Sequence, residues 1–147
     1  AQLLVVRYVH EPFACHLLER HLSVTQAFVP LGEHPSVMVA APPTDLDEPD
    51  RVPRPDEVRA FYVPGSCGLM LWRGTWHALT RFPVRSEGAS FLMVTGADTQ
   101  RELEREKADG TRPRLTQVVD YGERADLRFS IVDPDGLLLH SLEHLVT

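Results

Sequence analysis

The chain has 147 residues, 43% hydrophobic and 24% charged, with a formal net charge of -6. This balance predicts one globular domain over residues 1–147 with a core of its own. The negative charge excludes the sequence-wide basic character of a nucleic-acid binder. No apolar run approaches the roughly 20 residues that cross a bilayer, and AQLLVVRYV has neither a charged leader nor a small-residue cleavage site. A cytoplasmic protein without a membrane partner is expected.

In chain order, LLVVRYV, ACHLLER, TQAFVPL and SVMVAA read as short strands, each rich in β-branched, aromatic or other apolar residues and followed by a polar or proline break. PPTDLDEPDRVPRPDEV, with five prolines and a string of acidic residues, cannot sit in a central strand and is expected to be a long surface loop. Strands resume at VRAFYV. PGSCG is a turn, GLMLW a strand, RGTWH a tight connection and SFLMVTG a further strand. Only TQRELEREKADG reads as helical, with Gly110 as its stop and most of its surface solvated. RLTQVVDY, DLRFSIV and LLLHSLEHLV follow as strands, the last two joined by the hairpin turn Asp133-Pro134-Asp135-Gly136. Many short strands between turns predict an all-β sandwich or barrel, with a jelly roll among the few solutions at this length. Cys15 and Cys67 are expected to be unpaired thiols.

The segment Leu18 to Pro30 carries the first candidate site residues. Glu19 and His21, two apart on a strand, point to one face. A turn at Leu22 to Val24 that folds the next strand back antiparallel would bring Gln26 onto the same face. In the second segment, Gly65 and Gly68 allow a tight turn and Gly74 a close backbone approach before His77 enters the barrel. Oxygen and imidazole donors in this mix suit a divalent ion such as Zn, Mn, Ni or Fe. They serve equally as a metal-free acid/base set. Each also has a plainer reading: hydrogen-bonded core histidines, a surface pair of Glu19 with Arg20, and an edge amide at Gln26.

LERHLSVTQAFVPL resembles the motif of ureidoglycolate lyases, in which Leu-Glu-Arg-His precedes a Thr/Ser-Gln-Ala-Phe-Ile/Val-Pro segment. VRAFYVPGSCGLMLWRGTWHAL is similar to that family's second block, and the likeness runs over roughly residues 5 to 96. Ala78 stands where those proteins commonly carry a second histidine after Trp-His, and Leu22 where a proline often follows Glu-Arg-His. Their N-terminal half-barrel is expected to be short or absent here. Residues 97–147, a helix plus a C-terminal strand extension, are expected to be an addition to the barrel.

The resemblance implies a cupin-type double-stranded β-helix with one short helix and a C-terminal hairpin, a homodimer that splits ureidoglycolate into glyoxylate and urea during purine breakdown. It places Glu19, His21, Gln26 and His77 in the pattern by which metal-binding cupins hold an ion, with Glu19 where many have histidine. Cleavage of a carbinol-urea C–N bond needs a base for the hydroxyl proton and an acid for the leaving nitrogen. His77 and Glu19 are the candidates, with His21 beside them. Arg7 and Arg73 are candidate carboxylate clamps, and Gln26 and Trp76 further substrate contacts. Trp72, Trp76, Phe28 and Phe61 would wall the pocket, although core packing also accounts for Phe28 and Phe61. Two other readings stay open: a metal-binding cupin enzyme acting on another small carboxylic acid, and a non-catalytic cupin that binds a small ligand.

Overall fold

The computed structural model describes residues 1–133. Its strands are β1 (Gln2–Tyr8), β2 (Ala14–Cys15), β3 (Leu17–His21), β4 (Gln26–Leu31), β5 (Ser36–Ala41), β6 (Arg59–Val63), β7 (Leu69–Leu71), β8 (Trp76–Ala78), β9 (Ala89–Thr95), β10 (Thr116–Asp120) and β11 (Phe129–Ser130). Helices α1 (Ala97–Asp109) and α2 (Tyr121–Ala125) complete the regular elements, with one 3-10 turn at Pro55–Glu57.

Strand alternation decides where each side chain goes. In β1, Leu4, Val6 and Tyr8 turn inward while Leu3, Val5 and Arg7 are exposed. β1 lies at one edge of a four-stranded sheet of order β1-β9-β4-β7, and β3 belongs to a five-stranded sheet of order β10-β3-β8-β5-β6. Every strand pair is antiparallel. Phe28, Phe91 and Met93 from the first sheet and Met38, Ala40 and Val63 from the second form one buried cluster, so the sheets pack face to face. The expected all-β, cupin-type architecture is what the chain adopts.

The five-stranded sheet is covered on its outer face as well. Leu18, Val37, Val39, Trp76, Ala78 and Val119 pack there with Tyr121, under Val52 and Val58 of the proline-rich loop and under Leu127 and Phe129. This explains the unbroken burial of β5: Met38 and Ala40 face one core while Val37, Val39 and Ala41 face the other. The loop is irregular, as expected, but it is fastened to the sheet. Arg20 donates to the carbonyls of Thr44 and Asp45 at 2.9 and 3.1 Å, and the Tyr121 hydroxyl donates to Pro53 O at 2.7 Å.

Four expectations are corrected or left outside view. Residues 76–78 are a strand rather than part of a tight connection, because β8 inserts between β3 and β5 and its backbone groups need partners there. β3 and β4 do not form a hairpin: the chain crosses from one sheet to the other between His21 and Gln26. A second helix, α2, interrupts the C-terminal strands, started by the Asp120 carboxylate accepting from the N–H groups of Gly122 and Glu123 and stopped by Asp126 at φ 49°. The Asp133 to Gly136 hairpin and the strand after it lie outside the described residues from position 134 onward.

Candidate active site

Register brings the first two site residues together. Glu19 of β3 is the direct cross-strand partner of His77 of β8, so their side chains share a face, and His21 lies two residues along on that face. Glu19 Oε1 is 3.8 Å from His21 Nε2 and 4.0 Å from His77 Nδ1, with the two imidazole rings 5.3 Å apart. Gly74, at φ 82°, places the turn before β8, and its N–H donates to the His21 carbonyl at 2.9 Å. The close approach expected of this glycine is the one that ties the turn to β3.

Hydrogen bonds orient both rings. His77 Nδ1 faces the Ala78 carbonyl at 3.0 Å. A carbonyl can only accept, so Nδ1 carries the proton and Nε2 the lone pair. That Nε2 is buried without a protein partner among the described residues. His21 Nδ1 lies 2.9 Å from Thr116 Oγ1. Burial, reinforced by the Arg81 charge, lowers the pKa of His21 to about 4 and that of His77 well below the usual imidazole range. Burial raises Glu19 above the usual carboxylate range, and Arg81 opposes that rise. The cluster therefore combines neutral imidazoles with a carboxyl group whose pKa burial raises, opposite shifts of the kind that suit acid and base roles.

The cluster opens onto a pocket of about 450 Å³, a volume within the range of small-molecule sites. Glu19 and His21 line it from the five-stranded sheet, and Gln26 and Phe28 from the four-stranded sheet. Gln26 thus reaches the site from the opposite wall, not by a hairpin on the same one. Its amide nitrogen donates to Thr95 Oγ1 at 3.1 Å, while Oε1 has no partner among the described residues. The described donors Glu19, His21 and His77 offer ligand atoms within 4.8 Å of one another. Imidazole and carboxylate donors at this spacing, with the unpartnered His77 Nε2 and Gln26 Oε1 beside them, fit a divalent ion of the kind expected.

Arg81 is the site residue that sequence reasoning missed. It is 3% exposed and lines the pocket, its guanidinium 4.1 Å from the Phe28 ring centroid and 5.5 Å from that of Tyr8. One charge inside the run Leu79-Thr80-Arg81-Phe82-Pro83-Val84 was the available signal. α1 is mostly solvated, as expected, and in addition Gln100, Leu103, Glu106 and Lys107 line the pocket. Their helical spacing puts them on one face, and that face borders the site.

The other expected contacts fall elsewhere. Arg7 is exposed and borders the pocket, but its guanidinium donates to Ser90 Oγ at 3.3 Å and to the Glu87 carbonyl. Arg73 is exposed in the turn before β8 and does not line the pocket. Trp76 is 1% exposed in the outer core with its indole N–H on Thr44 Oγ1: once His77 faces inward, its strand neighbours must face outward. The same alternation sends Ala78 into the outer core, so a second histidine at that position would also point away from the site. Phe28 serves both core and pocket. Phe61 and Trp72 border a different groove of about 720 Å³ along β6 and β7, which is mainly apolar and whose rim charges Arg54, Asp56 and Glu57 pair with one another. The thiols of Cys15 and Cys67 are free.

Residues 2–112 match the family described as ureidoglycolate lyase, a match that includes α1. The chain is 41% identical to a ureidoglycolate lyase of Azotobacter vinelandii over 75 residues, which is 51% of this chain and 42% of that protein. It is 41% identical to one from Burkholderia mallei over 66 residues, 45% of this chain and 35% of that protein. A ureidoglycolate lyase of Pseudomonas aeruginosa is 42% identical over 66 residues, 45% of this chain and 36% of its own length. The aligned stretch thus spans well under half the length of these relatives.

Proposed function

This chain belongs to the ureidoglycolate lyase family, and on that premise we propose that it cleaves the carbinol C–N bond of ureidoglycolate to give glyoxylate and urea. The observation that carries the reading is the Glu19, His21 and His77 cluster, of which Glu19 and His21 line a pocket of small-substrate size and His77 is buried beside them. The lone pair on His77 Nε2 takes the substrate hydroxyl proton as the carbonyl forms. The C–N electrons pass to the urea nitrogen, which Glu19 protonates. A base that is neutral at physiological pH and a carboxyl group whose pKa is raised are the forms these two steps require. His21 stays neutral beside them and keeps Glu19 within the cluster.

In an alternative state, with Glu19 ionised and the His77 Nε2 lone pair given to a metal instead of to the substrate proton, Glu19, His21 and His77 would hold a divalent ion, with Gln26 as a further donor. Such an ion supplies Lewis-acid polarisation of substrate oxygen. Phe28, Met93 and Leu103 are apolar residues of the pocket lining and would limit the water that reaches the reacting atoms. That activity would make the protein a cytoplasmic enzyme of purine breakdown. The reading extends to a homodimer: Leu3, Val94, Ala27 and Met70 are register partners across the outer face of the four-stranded sheet, and Val5, Leu92 and Val29 form the adjacent row, leaving an apolar face that a second copy would cover. Light scattering that returns the mass of one chain would remove the dimer.

Elemental analysis of the purified protein, followed by a glyoxylate-release assay on ureidoglycolate before and after chelation, tests the reading. Glyoxylate release is the expected result. Release that survives chelation assigns the chemistry to His77 and Glu19 alone, and release that stops assigns the ion a part. No release in either state sinks the lyase, and stoichiometric metal in that case supports a cupin enzyme for another small acid.

A further inference from the structure

A guanidinium sealed from water is costly unless its charge and donors are met. Arg81 uses only Nη1 among the described residues, donating to the carbonyls of Ala78 and Thr80 at 2.8 and 3.3 Å. Its Nε is buried with no acceptor, and no described carboxylate forms an ion pair with it. The flanking backbone shows how firmly the side chain is placed. Phe82, at φ 34°, occupies a conformation that non-glycine residues seldom adopt and is 0% exposed in the outer core, so the chain turns sharply where Arg81 goes inward and Phe82 outward. Two of its neighbours on the pocket wall, Phe28 and Tyr8, present ring faces that hold the guanidinium plane.

The rival carboxylate clamps do not compete for this role. Arg7 is occupied by Ser90 and Glu87, Arg73 is away from the pocket, and Arg20, the other buried arginine, is fully engaged on the far face of the sheet. Lys107, the one lysine of the chain, lines the pocket from α1 but is exposed.

We propose that Arg81 is the carboxylate anchor of this pocket, its free Nε–Nη2 edge donating to both oxygens of a small monocarboxylate whose reacting carbon then lies against Glu19 and His77. The proposal rests on the pocket being the active site, and it names what that site recognises. A planar fork matches a carboxylate in two parallel hydrogen bonds. A single buried cation offsets one negative charge, which favours a monoanion over a dianion whose second charge would have no buried partner. Arg81 is then a specificity-determining residue outside both shared sequence motifs, reached only because β8 and the turn after it are folded as they are.

The test is a titration of the whole protein, labelled with ¹⁵N-arginine, with glycolate and with glycolamide, which lacks the charge. The Arg81 Nε–H resonance is assigned through its contacts to the Phe28 ring. A saturable shift with glycolate and none with glycolamide is expected, and Arg81→Lys, which keeps the charge but loses the fork, should weaken glycolate binding about tenfold or more. An unmoved Nε–H at saturation, or equal glycolate affinity in a folded Arg81→Lys protein, overturns the anchor. The wild-type titration needs no variant to fold. Glyoxylate release with an unmoved Arg81 removes the anchor and leaves the lyase, whereas a shifted Arg81 without glyoxylate release keeps the anchor and removes the lyase.

Discussion

Two arginines, one on each face of the five-stranded sheet, are both shut away from solvent and are treated in opposite ways. Arg20, 0% exposed, has every nitrogen engaged: Nε on Gln117 Oε1, Nη1 on the Thr44 carbonyl and hydroxyl, and Nη2 on the Asp45 carbonyl, with its plane 4.7 Å from the Trp76 ring centroid. Arg81 leaves an edge unpaired among residues that are themselves short of partners, His77 Nε2 and Gln26 Oε1. Buried polar groups normally find partners within the protein. Where they do, on the outer face, they bind a loop to a sheet. Where they fail to do so at Arg81 and Gln26, which line one pocket, and at His77 beside it, the proposed partner is a ligand. On that proposal, the difference separates groups that hold the fold from groups that meet a substrate, although all of them are buried.

The largest effect should come from the unsatisfied side. His77→Gln removes the proposed base and should lower kcat/KM for ureidoglycolate by about 10² to 10⁴. Its Tm should fall by only a few degrees, because Nε2 has no partner among the described residues and only the Nδ1 bond to the Ala78 carbonyl is at stake. A variant that loses its fold and not merely its rate would mean that His77 is a structural histidine, and the contrast between the two faces would fail.

Arg20→Met tests the satisfied side. The carbonyls of Thr44 and Asp45 and the amide of Gln117 lose their donor, and unmet buried groups are expensive. A loss of about 3 kcal/mol in urea unfolding is expected, while the molecules that remain folded keep their KM. A methionine variant as stable as the parent would show that the network is dispensable to the fold.

Acid should act through the site face. As pH falls from 6.5 toward the His21 value of about 4, the unfolded chain binds a proton that the folded site refuses. Stability therefore falls as pH falls through this window, by about 1.4 kcal/mol per unit for each histidine that stays neutral. His77, also lowered, adds in the same direction. Glu19 runs oppositely: with its folded pKa raised above 4.5, its contribution is fully present below that value and is lost as pH rises through the folded pKa. Two histidines against one carboxyl group give a net loss on acidification, read as Tm against pH. His21→Gln should flatten the profile, and an unchanged profile would show that the loss arises elsewhere.

The legible parts of this molecule are those that depend on local pattern. Alternation in β1 and the apolar runs of β5 and β9 mark strands without reference to anything distant, and the spacing of Glu19 and His21 fixes a shared face. The crossing between β3 and β4 was not legible, because a short polar link between two strands reads alike whether they pair or lie in opposite sheets. α2 has five residues, too few to show a helical period, although Asp120 followed by Glu123 is a start signal in retrospect. Arg81 escaped notice because the burial of a charge is decided by what the tertiary structure places around it.

Trp76 could have been placed by a local rule. If His77 faces the pocket and residues 76–78 are a strand, Trp76 must face the other way, and it packs in the outer core with its indole N–H 3.1 Å from Thr44 Oγ1. Trp76→Phe keeps an aromatic ring under Arg20 and removes that hydrogen bond. It should cost about 1 kcal/mol of stability and leave KM for ureidoglycolate unchanged, the smallest of these effects and the sharpest on which face belongs to the substrate. A raised KM with unchanged stability would move the boundary of the site through the sheet and cancel the separation of its two arginines.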